Sequence, residues 1–78
     1  IELYPNPADN YLYIKFNELN SNSDIEVYDI IGTKIANMQV EPNFETISLD
    51  LSKFNSGLYF LKITIGNDTR IMKFIVSK

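Results

Sequence analysis

Leu58-Tyr59-Phe60-Leu61-Lys62-Ile63-Thr64-Ile65 is the stretch that decides the fold. Tyr59, Leu61, Ile63 and Ile65 alternate with Phe60, Lys62 and Thr64, and β-branched and aromatic residues in a period of two suit a pleated strand. Gly66-Asn67-Asp68 then reads as the close of a hairpin. The alternation resumes over about Thr69–Ser77, with Met72, Phe74 and Val76 directed inward and Ile71, Lys73 and Ile75 outward.

Upstream, the same period recurs. Leu12, Ile14 and Phe16 alternate with Tyr11, Tyr13 and Lys15, and Ile25 and Val27 alternate with Asp24, Glu26 and Tyr28. Asp29-Ile30-Ile31-Gly32 is a turn in which glycine permits a positive φ. A strand restarts near Lys34, runs through Ile35 and Met38 to about Val40, and is stopped by Glu41-Pro42-Asn43 because proline cannot donate to the ladder. Ile47, Leu49 and Leu51 alternate with Thr46, Ser48 and Asp50. Leu51–Gly57 forms a corner, either one helical turn or a loop, with Phe54 tucked into the core. With Ile1–Leu3 as an edge strand the count is seven. Seven short strands with turn signals between them and no helical period predict an all-β, immunoglobulin-like sandwich of antiparallel strands.

The 78 residues make one domain, 1–78, without linker, repeat or low-complexity tract. Ser21-Asn22-Ser23 is a polar loop. No apolar run is long enough to span a bilayer and no signal peptide is visible, so no membrane insertion is expected. The chain begins with Ile1 inside a strand-like segment, which leads us to expect a fragment of a larger exported precursor.

There are no cysteines and no histidines. Thiolate chemistry, the commonest general base and the commonest neutral metal ligand are thereby removed, and no enzyme, cofactor or metal is expected. Asp9 and Asp29 sit in turns, where side-chain to backbone bonding accounts for them. Ser21–Asp24 offers a calcium ion a single carboxylate, a poor match. Asn67-Asp68-Thr69 fits a glycosylation triplet, but the turn already explains it.

The net charge of −3 is unevenly spread. Residues 1–52 carry nine acids against Lys15 and Lys34, while residues 53–78 carry Lys53, Lys62, Arg70, Lys73 and Lys78 against Asp68 alone. A nucleic-acid binder would be basic throughout, so no nucleic-acid partner is expected. The basic C-terminal third is either a set of solvated strand positions or a cationic face offered to a partner. Outward Tyr11 and Tyr13 could stack on sugar rings, although strand packing is the favoured reading of tyrosines there and the chain has no tryptophan.

Leu3-Tyr4-Pro5-Asn6-Pro7, Val27-Tyr28-Asp29-Ile30-Ile31-Gly32-Thr33-Lys34-Ile35, Leu49 through Ile63 with its Asn55-Ser56-Gly57-Leu58-Tyr59 centre, and Lys73-Phe74-Ile75-Val76-Ser77-Lys78 occur in that order. Together they resemble the type A C-terminal sorting domain of the type IX secretion system in Bacteroidetes, over nearly the whole chain. The resemblance implies an immunoglobulin-like domain at the C-terminus of cargo that reaches the periplasm under a separate N-terminal signal. It implies as partners the type IX translocon and its shuttle components, followed by a sortase-like cysteine peptidase that removes the domain as the cargo reaches the outer-membrane surface or the exterior. The alternative is an adhesive or carbohydrate-binding sandwich appended to a secreted enzyme.

Each motif also has a physical reading. Pro5 and Pro7 fix φ and stiffen the lead-in around Asn6. Gly32 and Gly57 are expected where a Cβ would clash, and Tyr59 plants a ring in the core. Candidates for recognition are Lys62, Ile71, Lys73, Ile75 and Lys78 on the last hairpin, with reversal of Lys73 and Lys78 expected to leave the fold intact.

Overall fold

The computed structural model describes residues 1–16, 21–42 and 45–78. The strands are β1 (Glu2–Tyr4), β2 (Tyr11–Lys15), β3 (Ser23–Tyr28), β4 (Lys34–Val40), β5 (Thr46–Asp50), β6 (Gly57–Ile65) and β7 (Asp68–Val76). They form a three-stranded sheet ordered β1-β2-β5 and a four-stranded sheet ordered β4-β3-β6-β7, with every ladder antiparallel. The seven-stranded immunoglobulin order sets the first, second, fifth and fourth strands against the third, sixth and seventh; here the sandwich is immunoglobulin-like with β4 switched to pair with β3. Asn43, placed by the sequence reading in the stop after β4, lies outside the described residues.

The core is the inward row of each strand. Leu12, Ile14 and Phe16 meet Ile25, Val27, Leu61, Ile63, Phe74 and Val76, all nearly or fully inaccessible. Phe54 packs against this cluster from the β5–β6 corner, as expected, and the corner is a turn rather than a helical turn, closed by the Phe54 N–H donating to the Leu51 carbonyl at 3.0 Å. The hairpin turn is Gly66-Asn67, and Asp68 already pairs with Ile65 as the first residue of β7.

Tyr59 is buried near the start of β6, between Phe54 (centroids 5.1 Å apart) and Phe74 (5.6 Å), and its hydroxyl donates to the Asn55 carbonyl at 2.7 Å. A tyrosine early in the sixth strand that reaches back to its own corner is the tyrosine corner of immunoglobulin-like domains. The single polar group is satisfied, so the ring can be buried without an orphaned hydroxyl.

The glycines require a correction. A Cβ built on Gly32 or Gly57 would meet no atom within 4 Å, so neither is there to avoid a clash. Their φ values of +89° and +156° are the reason: both lie where an L-residue is strained.

Candidate functional site

The Pro-Asn-Pro segment does more than stiffen the chain. After β1 it leaves the three-stranded sheet and crosses to the outer edge of β7. There the Ala8 N–H donates to the Ile75 carbonyl (2.7 Å), the Ser77 N–H donates to the Ala8 carbonyl (2.8 Å), and the Ile75 N–H donates to Asn6 Oδ1 (3.0 Å). Ala8 and Val76 form a parallel bridge. Pro5 and Pro7 have no N–H to leave unpaired at this edge, and Asn6 supplies an acceptor from its side chain where the next backbone carbonyl would otherwise be needed. Asn6–Ala8 is therefore a strap over the last quarter of β7.

Cross-strand register arranges the outer face of the four-stranded sheet in rows. Lys34, Tyr28, Phe60 and Lys73 lie side by side, and beside them run Asn37, Glu26, Lys62 and Ile71. Leu58 opposite Ile75 continues the apolar part towards the strap. Glu26 Oε2 accepts from Lys34 Nζ and from the Tyr28 hydroxyl, both at 3.1 Å. Those two bonds, Lys34 first, hold the Glu26 carboxyl below its ordinary range, and the bond to Glu26 and its charge raise Lys34 in turn. Lys34–Glu26 is the single ion pair among the described residues; Lys62 lies opposite Glu26 across the ladder and its charge also lowers that carboxyl, while Lys73 has no carboxylate within bonding range there.

Four of the five residues singled out in the sequence thus share one face: Lys62, Ile71, Lys73 and Ile75. Lys78 does not. It lies beyond β7, its N–H donates to Ser56 Oγ at 3.0 Å, and its ammonium donates to the Leu51 and Ser52 carbonyls at 2.7 and 3.2 Å. The expectation that it can be reversed without cost is corrected here, because a carboxylate would face two carbonyl oxygens. The same corner lowers Asp50, first through the Ser52 N–H donating to Oδ1 at 2.8 Å and further through Lys53 and Lys78.

The sequence reading missed two residues of this face. Asp29 Oδ1 accepts from the N–H groups of Ile31 (3.1 Å) and Thr33 (2.9 Å), which closes the β3–β4 turn as expected for an aspartate there. The turn so held presents Ile30 at 69% and Ile31 at 82% exposure. Two consecutive isoleucines at a turn where polar residues are the rule were the available signal. Beside them a shallow depression of about 370 Å³ opens between Tyr28, Phe60, Lys62 and Ile71.

The opposite face of the sandwich carries Tyr4, Tyr11 and Tyr13, all exposed as expected for the last two. Tyr4 and Tyr13 are stacked with centroids 5.5 Å apart, and Tyr11 and Tyr13 with centroids 6.4 Å apart. Tyr13 is common to both pairs, so the three rings form one continuous aromatic strip on β1 and β2. Among the described residues no group of three or more acidic side chains could hold a metal, and no helix is long and apolar enough to cross a membrane.

The chain belongs to the secretion system C-terminal sorting domain family, whose sequence model matches residues 2–77. It is a C-terminal sorting signal of type IX secretion cargo, the mark of a protein exported to the outer-membrane surface or the extracellular space. No curated protein matches the chain.

Proposed function

We propose that the domain is the C-terminal unit of a larger precursor, that it is read by the type IX translocon and its shuttle components through the last two strands after the cargo has reached the periplasm, and that a sortase-like cysteine peptidase then removes it. The domain itself catalyses nothing in this scheme. The observation that carries the reading is the outer face of β6 and β7, where Lys73, without a carboxylate in bonding range among the described residues, and Lys62 lie beside exposed Ile71 and Ile75. A cationic face with apolar residues between its charges can both steer an acidic partner and bind it. Lys78 belongs to the recognised end by holding it against the β5–β6 corner.

The test is a reporter protein carrying this domain at its C-terminus in a bacterium with a type IX route. Deleting Ile75–Lys78 should leave the reporter in the periplasm, and the exported reporter should have lost the mass of the domain. A surface reporter that keeps the domain would overturn the proposed removal. Inactivating the peptidase cysteine should leave the domain attached.

A further inference from the structure

The strap covers only one end of the β7 edge. Along an antiparallel strand alternate residues turn their N–H and C=O to the same side, so the groups of Ile71 and Lys73 point the same way as those of Ile75, away from β6. Ile75 spends its groups on Asn6 and Ala8. Among the described residues nothing pairs with Ile71 or Lys73 on that side. The edge therefore accepts added backbone at one end and offers the same pattern, unused, at the other.

We propose that the open edge over Thr69–Lys73 binds an extended segment of a partner protein by strand addition, and that this segment carries an apolar and an acidic residue two positions apart. The inference rests on the reading that β7 is the recognised element and adds the mode and the partner chemistry. An added strand would place alternate side chains on the outer face, opposite Ile71 and Lys73. The one beside Ile71 meets an apolar neighbour that is 66% exposed and borders the depression in front of Phe60 and Tyr28. The one beside Lys73 meets an ammonium without a carboxylate among the described residues, with Lys62 on the adjoining strand. Charge complementarity thus selects an acid at the second position.

A second copy of this chain is a poor occupant on the same grounds. Antiparallel pairing of two β7 edges must set residues with outward groups opposite each other: centred on Ile71 it places Thr69 against Lys73, and centred on Lys73 it places the two lysines against each other, where like charges repel, so neither register offers Lys73 an acid. Edge lysines are a common guard against self-pairing, and here the guard against self doubles as a selector for an acidic stranger.

The probe is a synthetic peptide repeating Leu-Thr-Glu-Thr, titrated into the isotopically labelled 78-residue chain and followed by amide shifts and hydrogen exchange. Shifts and slowed exchange at Ile71 and Lys73 are expected, with binding at least tenfold weaker when lysine replaces glutamate in the peptide. Ile71→Pro removes one outward N–H at an edge position that tolerates proline, and should abolish binding, whereas Ile71→Ala keeps the N–H and should only weaken it. Equal binding of the acidic and basic peptides, shifts confined to the tyrosine face, or unchanged binding by a folded Ile71→Pro would overturn the proposal. If that variant does not fold, the exchange of the wild-type Ile71 and Lys73 amides decides alone. Concentration-dependent dimers with those amides protected would make a second copy the occupant and also overturn it. The reporter separates the two readings: export lost in Lys73→Glu with peptide binding indifferent to Ile71→Pro leaves β7 recognised but overturns strand addition. Peptide binding lost in Ile71→Pro with export intact supports strand addition and removes β7 from export.

Discussion

The two ends of β7 differ in what their edges are used for. From Phe74 to Lys78 the inner face and the backbone edge are closed, and only the Ile75 side chain stays exposed on the outer face: Phe74 and Val76 are buried, Ile75 and Ser77 are bonded to the strap, and Lys78 is tied to the β5–β6 corner. From Thr69 to Lys73 the same strand has one partner, β6, and its outward side chains are exposed. A sequence motif that spans both ends therefore mixes two duties. Substitutions at the closed end should appear as lost stability, and export should fail as a consequence. Substitutions at the open end should affect export with the fold unchanged.

The harshest way to probe the closed end is Phe74→Ala. Phe74 is fully buried and stacks on Tyr59, and truncating a buried phenylalanine costs about 3–5 kcal/mol. In a domain of this size that is a large share of total stability, and the urea midpoint should collapse. A midpoint near that of the wild type would mean that the aromatic chain Phe54-Tyr59-Phe74 is not what holds β7 to the core.

Lys78→Glu comes next, at about 1–2 kcal/mol, since two charge-assisted bonds are lost at a partly exposed site. The corner also has a pH signature. Asp50 is held below its ordinary value of 3.8, so its contribution is present above that pH and lost as the pH falls through the lower folded value. Removing the Lys78 ammonium should move that acid transition upward, which a pH series of urea midpoints on both proteins would show. Identical acid limbs would separate Lys78 from Asp50.

Asn6→Ala tests the strap, at about 0.5–1.5 kcal/mol for the bond from the Ile75 N–H. Its sharper readout is local: hydrogen exchange at Ile75 should accelerate more than at Leu61 in the middle of β6. Uniform acceleration would mean that the strap is only one more global contact.

The seven strands, their inward rows and the buried ring of Tyr59 were legible in the sequence because alternation is a local signal that reports which face a residue takes; the bond from its hydroxyl to the Asn55 carbonyl was not. Ile71 and Met72 were assigned to opposite faces from spacing alone, correctly. Alternation is silent about edges. The bond between Asn6 and Ile75 joins residues 69 apart, and no periodicity in either segment announces it. Lys78 shows the same gap: it reads as one more terminal lysine, and only the return of β7 beside the corner brings carbonyl oxygens to its ammonium. Ile30 and Ile31 were visible as residues of a turn, but their outward display depends on the Asp29 bonds that close it.

The smallest stability effect is expected at the open end, and it carries the most information about function. Lys73 is exposed, pairs through its backbone with Phe60, and has no carboxylate within bonding range among the described residues. Charge reversal at such a position alters stability by about 0.5 kcal/mol or less, so Lys73→Glu should keep the native circular dichroism and urea midpoint. Export of the fused reporter should nevertheless fall, because the reversed charge would oppose an acidic partner and slow the encounter as well as weaken the complex. Raising the ionic strength should reduce wild-type binding and narrow the gap between wild type and variant, since screening acts on the attraction and the repulsion alike. A Lys73→Glu reporter exported at the wild-type rate would show that the open end owes nothing to charge and would move recognition to Ile71, Ile75 and the isoleucines of the β3–β4 turn.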